Sequence, residues 1–473
     1  MKILYMASEA APFAASGGLG DVMGALPATI ARTTEHKVGV ILPLYASMKP
    51  QYREKLSHLT DISFNLSWRS TGASVYTCTV DGVDYYFIEN HYYFDRSKLY
   101  GEYDDAERFA FFSLATLEFI KTLEDTPDVL HANDWQTAPA LVYLKTLYKD
   151  DPTLSAIKTV YTIHNIEYQG KFDPYILGDV FGLETDSLGV VEYDGCINLM
   201  KGAIVCADYV TTVSPNYANE LKYDFFAFGL KDVICDASDK MRGVINGIDY
   251  DYFAPESDPD IYKTYGTRMV KSGKAKNKAY ICSRLGLNPD ESIPLIVMIT
   301  RLASQKGIDL LTCIGDELLR ENVQLIVLGT GDPAYERALL DLESRHGNIR
   351  ALIEFDRVLS KQLYAAADMF LMPSKSEPCG LSQMIACSYG AVPIVRAVGG
   401  LYDTIKPYPA PDSNGFRFDN YNAHDMLACI RYAIEVYNTP KAWSELRRRA
   451  KNSKFTWDNS AMEYVSIYKN LLN

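Results

Sequence analysis

An acidic residue that follows a short apolar run has the clearest capacity for chemistry in this sequence. Residues 368–373 predict a buried strand, and Glu377 comes directly after it, just before Pro378 and Gly380. The carboxyl ends of parallel strands form the edge of an open α/β sheet at which ligands bind. A carboxylate at this edge can position a ligand and support positive charge that develops in a reaction. The alternative is an ordinary acidic loop residue.

Two cations, Arg301 and Lys306, follow another predicted buried strand at residues 295–300. A diphosphate leaving group needs fixed positive charge, for which Arg offers a bidentate fork and Lys a point charge. The net charge is −13, so an anionic ligand must be held by local cations of this kind. We therefore predict a phosphate-binding pair, with a solvated loop as the alternative.

Polar side chains also end two predicted strands in the first half of the chain. His164 and Asn165 end the strand at residues 159–164, and Asp134 follows the strand at residues 128–131. A histidine here can hydrogen-bond a substrate, although a lone histidine at a strand end is more often structural. For Asp134, a ligand contact and a helix N-cap are equally good interpretations.

A glycine-rich loop follows the first predicted strand. Gly17, Gly18 and Gly20 precede a predicted helix over residues 22–31. Glycines let the backbone approach a ligand closely, and a helix N-terminus favours an anion. No G-x-G-x-x-G string is present, so this loop alone is a weak signal.

Short apolar runs alternate with amphipathic stretches along the chain, which is typical of an α/β protein with parallel strands. We expect the ends of these strands to position the residues named above. Residues 74–80 and 84–88, joined through Asp81-Gly82, predict an antiparallel hairpin at a sheet edge. The remaining predicted strands are residues 3–6, 38–42, 128–131, 159–164, 209–213, 295–300, 324–328, 351–355, 368–372 and 392–395.

The alternation breaks between about residues 246 and 292, which we interpret as an interdomain segment. It contains two D-x-D strings, at residues 249–251 and 258–260, and a basic run at 271–278. We predict that the D-x-D strings form turns and bind no metal. The predicted domains are residues 1–245 and 246–450, each a doubly wound sheet, with residues 451–473 as a helix that packs back on the first domain.

Composition excludes several classes of protein. The acidic net charge argues against nucleic-acid and anionic-membrane partners, and no apolar stretch is long enough to span a bilayer. Nine scattered cysteines without C-x-x-C spacing indicate a reducing compartment, so we expect a cytoplasmic protein without disulfides or a zinc cluster. The start of the chain turns acidic too soon for a signal peptide.

Collinear strings along nearly the whole chain resemble those of bacterial glycogen synthases and plant starch synthases. They include Glu-Pro-Cys-Gly-Leu at residues 377–381, Thr-Ile-His-Asn-Ile-Glu-Tyr-Gln-Gly at 162–170 and Asn-Gly at 246–247. The resemblance implies a GT-B fold, with two Rossmann-like domains facing a central cleft. It also implies transfer of glucose from ADP-glucose, with UDP-glucose as the other candidate donor, to the non-reducing end of an α-1,4-glucan. Such transfer retains the anomeric configuration and needs no metal or cofactor.

The resemblance implies a role for each matching residue. The family lysine near the donor phosphates corresponds to Ala15 in this chain. The catalytic set would be Glu377, His164, Arg301 and Lys306. The donor-binding set would be Ala15, Gly17, Gly18, Asp21, Asn246, Gly329, Phe355, Cys379, Gly380, Leu381 and Ser382. The acceptor-side set would be Glu9, Asp134, Asn165 and Tyr92. For Phe355, an ordinary core position is the rival interpretation.

Two alternatives come from other classes of protein. The alanine at position 15 motivates a catalytically weak homologue that binds glucan or nucleotide as a regulatory protein. The βαβ pattern and glycine loops motivate a Rossmann-type oxidoreductase, which ranks far lower because its fingerprint is missing. Oligomeric state, primer length and regulation leave no signal in the sequence.

Overall fold

The strands of the computed structural model, which describes residues 1–473, are short and mostly buried. Parallel strands covered on both faces need apolar, often β-branched residues throughout, and runs such as Leu-Ile-Val-Met-Ile at residues 295–299 meet that need. The strands are β1 Lys2–Met6, β2 Lys37–Pro43, β3 Ser57–Leu66, β4 Arg69–Val80, β5 Val83–Glu89, β6 Val129–Asn133, β7 Lys158–Ile163, β8 Lys171–Phe172, β9 Glu192–Tyr193, β10 Cys196–Asn198, β11 Tyr209–Thr212, β12 Met241–Gly243, β13 Leu295–Ile299, β14 Gln324–Leu328, β15 Ile349–Leu352, β16 Met369–Met372, β17 Val392–Arg396 and β18 Phe416–Phe418.

Helices connect most of these strands, as βαβ units require. They are α1 Gly18–Thr33, α2 Pro50–Arg53, α3 His91–Phe94, α4 Asp105–Thr122, α5 Ala138–Lys145, α6 Ile176–Phe181, α7 Leu188–Val191, α8 Leu199–Cys206, α9 Pro215–Glu220, α10 Asp224–Ala227, α11 Lys231–Asp236, α12 Val270–Arg284, α13 Ile308–Leu318, α14 Pro333–Arg345, α15 Arg357–Ala366, α16 Ser382–Ser388, α17 Gly399–Thr404, α18 Ala423–Tyr437, α19 Pro440–Asn452 and α20 Trp457–Leu472.

The chain divides into two compact units. The first unit comprises Met1–Val213, Ala218–Ile245 and Trp457–Asn473, and the second comprises Ser214–Tyr217 and Asn246–Thr456. The last helix therefore begins at Trp457, and residues 451–456, which we expected to belong to that helix, lie in the second unit.

The first unit is built on a nine-stranded sheet in the order β12-β11-β7-β6-β1-β2-β5-β4-β3. Strand β1 pairs in parallel with both β2 and β6, so the chain leaves β1 towards one side and returns later on the other. The predicted hairpin is confirmed as β4 and β5, joined at Asp81-Gly82. It is not itself the edge of the sheet, because β3, whose polar, alternating sequence we did not predict as a strand, pairs outside β4.

The second unit is built on six parallel strands in the order β15-β14-β13-β16-β17-β18. This is the doubly wound order, with its switch point between β13 and β16. Apolar side chains of α13, α14, α18 and α19 cover one face of the sheet, with Leu311, Leu339, Ile430 and Leu446 fully buried there.

Helix α12 is the main error of the sequence interpretation, which placed its residues in an interdomain segment and did not predict a helix there. The buried face of α12 carries Lys274, Asn277 and Lys278 in place of apolar residues, so no apolar period marks it. The Lys274 ammonium donates to the carbonyl oxygens of Tyr364, Ala365 and Tyr389. Two lysines of the basic run, Lys274 and Lys278, are therefore part of the core of the second unit.

The second of these lysines, Lys278, forms a buried ion pair with Asp368 at 2.7 Å. Its ammonium also donates to the carbonyl oxygen of Ile293. The Asp368 carboxylate accepts the backbone N–H of Leu295 as well, so the pair joins α12 to the starts of two central strands. A buried charge is tolerated only when it is paired and hydrogen-bonded in this way.

Helix α20 is fixed to the first unit by a buried chain of polar groups. The Tyr468 hydroxyl lies 2.7 Å from the Tyr5 hydroxyl and 2.7 Å from Nδ1 of His131. Nε2 of His131 lies 2.6 Å from the Thr162 hydroxyl. The last helix is therefore joined to strands β1, β6 and β7 of the central sheet.

Three further expectations can be compared with the structure. Asp249 accepts the backbone N–H groups of Asp251 and Tyr252, which is the predicted turn. Asp258 accepts the N–H of Asp260 and also pairs with the buried Lys361.

All nine cysteines are free thiols. No helix combines the length and the apolar character needed to cross a membrane.

Candidate functional site

Topology places several of the predicted site residues after the strands that flank the switch point of each sheet. In the second unit, Arg301 and Lys306 follow β13 and Glu377 follows the neighbouring strand β16. In the first unit, Glu9 follows β1 and Asp134 follows its neighbour β6. Loops from such neighbouring strands meet at one edge of the sheet.

Lys306 and Glu377 form an ion pair in the second unit. The Lys306 ammonium lies 2.6 Å from Oε2 of Glu377, which also accepts the Ser374 hydroxyl at 3.1 Å. Glu377 is 7% exposed, so its carboxylate is largely removed from water and held by these two donors. The structure therefore brings together the predicted carboxylate and one predicted cation.

Glycines allow the loops around this pair to approach closely. Gly307, directly after Lys306, has φ of 74°, and a Cβ there would lie 2.2 Å from the Pro373 carbonyl oxygen. A Cβ on Gly400 would lie 2.2 Å from the carbonyl oxygen of Cys379. The Gly400 N–H instead donates to the Glu377 carbonyl oxygen, so any larger residue at either glycine would displace the Glu377 loop.

Arg301 and Phe355 lie apart from the ion pair. Arg301 is exposed, and no hydrogen bond or ion pair joins its guanidinium to Glu377 or Lys306. Phe355 is 81% exposed, three residues beyond the end of β15, so the rival interpretation as a core residue is wrong. Gly329 follows β14 and packs so closely that a Cβ would lie 1.8 Å from the Thr300 carbonyl oxygen.

The segment after Glu377 is held by buried groups. Burial raises the pKa of the Cys379 thiol to about 12, although the backbone N–H of Asn246 donates to its sulfur and opposes that rise. Gly380 has φ of 71°, and Leu381 and Ser382, both half-buried, lead into α16. Asn246 and Cys379 are thus brought together, whereas Leu381 and Ser382 contribute the turn into the helix.

Asp134 occupies the N-cap position of the short 3-10 turn Trp135–Thr137, but its side chain makes no capping hydrogen bond and bonds instead to the residues after β7. Its Oδ1 accepts the backbone N–H of His164 at 2.8 Å, and its carboxylate also accepts the N–H of Asn165. Its own backbone has φ of 58°, a region that non-glycine residues rarely adopt. Burial raises the pKa of the Asp134 carboxyl to about 7, and the nearby Glu9 charge adds to that rise.

The His164 side chain contacts Asn133. Nε2 of His164 lies 2.9 Å from Oδ1 of Asn133, and burial lowers the pKa of the imidazole to about 3. The ring is therefore neutral at any physiological pH. Asn165, the next residue, uses its side chain in a local turn by accepting the N–H of Glu167.

The N–H groups of the glycine-rich loop already bind an anion, the carboxylate of Glu9. This buried carboxylate accepts the backbone N–H groups of Ser16 and Gly17, the latter at 3.2 Å, and the Ser16 hydroxyl at 2.9 Å. Burial raises the pKa of Glu9 above its ordinary value despite these donors. Ala15 and Gly18 are exposed, as is Asp21 in the first turn of α1.

The segment between β5 and α4 contains four tyrosines, Tyr92, Tyr93, Tyr100 and Tyr103. Tyr92 is 65% exposed, and its ring packs edge-on against Tyr93. Tyr92 makes no hydrogen bond to Glu9 or Asp134 through its side chain. Tyr100, which we did not predict as a site residue, instead lies 3.0 Å from the Ser16 hydroxyl.

Sequence reasoning missed Asn133, Ser374 and Tyr100. Asn133 sits two residues after His131 on β6, and Ser374 directly follows the apolar run of β16. Their positions at the carboxyl ends of buried strands were a usable signal, because that is the edge where ligands bind. Tyr100 lies in a tyrosine-rich stretch at residues 85–103, which is a weaker signal.

The chain is similar to known proteins over its whole length. The family model described as "Starch synthase catalytic domain" matches residues 2–236, and "Glycosyl transferases group 1" matches residues 284–450. A glycogen synthase from Clostridium botulinum (strain Alaska E43 / Type E3) is 46% identical over 100% of this chain and 99% of its own. A glycogen synthase from Bacillus subtilis (strain 168) is 43% identical over 99% of this chain and 98% of its own.

A solved structure is also similar to this chain. It is the catalytic domain of starch synthase IV from Arabidopsis thaliana bound to ADP and acarbose, with a TM-score of 0.90 and 32% identity. The similarity covers 99% of this chain and 99% of that one.

We expect Asp134→Asn to change how stability depends on pH between about 4 and 7. The unfolded carboxyl ionises near its ordinary pKa of about 4, whereas the folded pKa is raised to about 7. Between these values the folded protein holds a proton that the unfolded chain has lost, so its free energy of unfolding falls as pH rises. The asparagine variant keeps an acceptor oxygen but cannot titrate.

Urea unfolding of both proteins at pH 5 and pH 7 tests this expectation. The variant should gain stability relative to wild type at the higher pH. If the two free energies of unfolding change in parallel, Asp134 does not titrate in this range.

Proposed function

Because the chain belongs to the glycogen synthase and starch synthase family and is a glucosyltransferase of the GT-B fold, we propose that it extends α-1,4-glucans from ADP-glucose. The family requires a nucleotide-sugar donor and a glucan acceptor. The choice of ADP-glucose as donor rests on the full-length similarity to a starch synthase IV domain bound to ADP and acarbose. Transfer is to the non-reducing end, with retention.

On the donor side, we assign the diphosphate to Arg301 and Lys306. The Arg301 guanidinium is exposed and makes no competing ion pair, so its fork is available to two phosphate oxygens. The Lys306 ammonium supplies a second positive charge next to Glu377. As the bond between the anomeric carbon and the diphosphate oxygen breaks, these charges stabilise the departing anion.

We assign Glu377 to the stabilisation of the sugar, which carries positive charge as the diphosphate departs. Its carboxylate is held by Lys306 and by Ser374, so it needs little reorganisation as that charge develops. The acceptor hydroxyl forms the new bond on the face that the diphosphate leaves, and its proton passes to the departing phosphate oxygen. This sequence retains the configuration without a covalent intermediate on Glu377.

On the acceptor side, we assign Glu9, Asp134, Asn165 and Tyr92 to the glucan, and His164 to a sugar hydroxyl. Carboxylates, neutral histidine and an exposed aromatic face suit an uncharged, hydroxyl-rich polymer. Phe355, 81% exposed, is proposed to contact the base. The remaining donor assignments are Gly17, Gly18, Asp21, Asn246, Gly329, Cys379, Gly380, Leu381 and Ser382.

The regulatory alternative receives no support from the comparisons, since the relatives named above are synthases. The oxidoreductase alternative has no match among them either. We place the enzyme in the cytoplasm, where its nine free thiols would stay reduced.

A panel of nucleotide sugars tests the proposed function. Purified protein with glycogen should release nucleotide from ADP-glucose faster than from UDP-glucose, and the glucan should grow by α-1,4-linked glucose. Release from neither donor would refute the synthase assignment, and faster release from UDP-glucose would refute the choice of donor.

We expect Arg301→Ala and Lys306→Ala to lower kcat by on the order of 10²-fold or more, the usual cost of removing one preorganised charge donor. The exposed Arg301 should change the free energy of unfolding by less than about 0.5 kcal/mol. Lys306→Ala should also lose stability, because it leaves the buried Glu377 carboxylate without its cation. Glu377→Gln should abolish most transfer while nucleotide binding persists.

Nucleotide release and urea unfolding measure these effects. Arg320→Ala removes another exposed arginine of the second unit and is the control, expected to match wild type in both assays. Arg301→Ala or Glu377→Gln with wild-type turnover would remove that residue from the site.

Ala15→Lys should strengthen donor binding if position 15 limits it. Ala15 is exposed, so a long side chain has room. A charge-assisted hydrogen bond contributes roughly 1.5–3 kcal/mol, which sets an upper expectation of about tenfold to hundredfold in Kd. The gain should shrink with added salt, because an exposed ammonium is screened.

Titration of ADP-glucose into wild type, Ala15→Lys and the uncharged control Ala15→Met at two salt concentrations decides this question. The buried Glu9 carboxylate, bonded to Ser16, is a competing partner for a lysine at position 15. Equal affinities for all three proteins at both salts would show that position 15 does not limit donor binding.

A further inference from the structure

The side-chain amide of Asn133 can take only one orientation. Its Nδ2 donates to the backbone carbonyl oxygens of Met6 at 3.2 Å and His131 at 3.1 Å. Carbonyl oxygens only accept, so a flipped amide would place its own oxygen against both of them. Asn133 is 1% exposed, which leaves no water to relieve such a contact.

This orientation determines which nitrogen of His164 carries a proton. Oδ1 of Asn133 lies 2.9 Å from Nε2 of His164 and can only accept. Nε2 must therefore be the donor. Because burial keeps the imidazole neutral, with its pKa lowered to about 3, the ring has a single proton. Nδ1 is then left with its lone pair.

The backbone of His164 is fixed independently of its ring. The His164 N–H donates to Asp134, the residue after Asn133. Asn133 and Asp134 are consecutive residues at the end of β6. Asn133 thus holds the side chain of His164, at the end of β7, and Asp134 holds its main chain. Nδ1 of His164 has no hydrogen-bond partner within the protein.

We propose that Asn133 is a positioning residue that keeps the His164 proton on Nε2, so that Nδ1 accepts a hydrogen bond from a hydroxyl of the sugar substrate. This inference rests on the proposed function for the identity of the substrate. The ligand at this position must then donate, as a sugar hydroxyl can. Fluorine in place of that hydroxyl can only accept and would face a lone pair.

The wild-type tautomer can be measured without substrate. In protein with ¹⁵N-labelled histidine, long-range ¹H–¹⁵N spectra should show His164 with a protonated Nε2 and an unprotonated Nδ1. A protonated Nδ1, or a mixture of both tautomers, would overturn the inference whatever the activity of the enzyme.

Variants test whether Asn133 is the cause. Asn133→Ala removes the acceptor, so His164 should become a mixture of tautomers. Asn198→Ala is the matched control, because Asn198 is also fully buried in the first unit and hydrogen-bonded, to Gln169 and Lys201. An unchanged tautomer in Asn133→Ala would overturn the assigned role.

A functional measurement separates this role from a structural one. We expect kcat/KM to fall about fivefold in Asn133→Ala, as loss of one hydrogen bond of about 1 kcal/mol implies. Among monofluoro analogues of the donor and acceptor sugars, one should be disfavoured about tenfold by wild type but not by Asn133→Ala. Equal discrimination in the two proteins would show that Nδ1 does not meet a sugar hydroxyl.

The two proposals fail in different ways. Absence of nucleotide release from any donor, with the expected tautomer, would refute the synthase assignment alone. Normal synthesis with a protonated Nδ1 would refute the role of Asn133 alone.

Discussion

The rest of the site depends on one constraint, that backbone polar groups at the carboxyl ends of buried parallel strands must find hydrogen-bond partners. Here the partners are the polar side chains of the site. Asp134 accepts N–H groups from the end of β7, and Asn133 donates to carbonyl oxygens at the ends of β1 and β6. Glu9 accepts N–H groups of the loop that leads into α1. The chemistry of the first unit is thus built from groups that also complete its backbone.

In the second unit, two charges of the site are already paired with each other. Lys306 neutralises Glu377, and Ser374 adds a hydrogen bond to the same oxygen. A largely buried carboxylate without such donors would be costly, so both charges are held in place before any ligand arrives. The same rule applies in the core of the second unit, where Lys278 and Asp368 neutralise each other at the starts of two central strands. The charges of the site and of the core are therefore neutralised in the same way. They differ only in whether a ligand can contact them.

The two sheets could be predicted because parallel strands buried on both faces need continuous apolar runs. The strand at residues 324–328 was predicted with its observed bounds, and most others differ by one or two residues. Helix α12 could not be predicted, because Lys274 and Lys278 occupy its buried face and the carboxylate and carbonyls that accept from them are distant in sequence. Strand β3 was missed because its outer position exposes polar residues. Glu377 and Lys306 could be predicted individually, but their 2.6 Å contact depends on which strands are neighbours.

The glycine-rich loop shows how pairing within a unit constrains which ligand that unit can hold. A helix N-terminus with exposed glycines is a general anion site, yet the N–H groups of Ser16 and Gly17 already bond to Glu9. With Ala15 in place of a lysine, the loop contains no cation that could offset the Glu9 carboxylate. A diphosphate would meet like charge here, whereas the exposed Arg301 offers it opposite charge in the second unit. The electrostatics of each unit, considered separately, therefore favour the second unit for the diphosphate and leave the donor contacts proposed at Gly17 and Gly18 without a cation from their own loop.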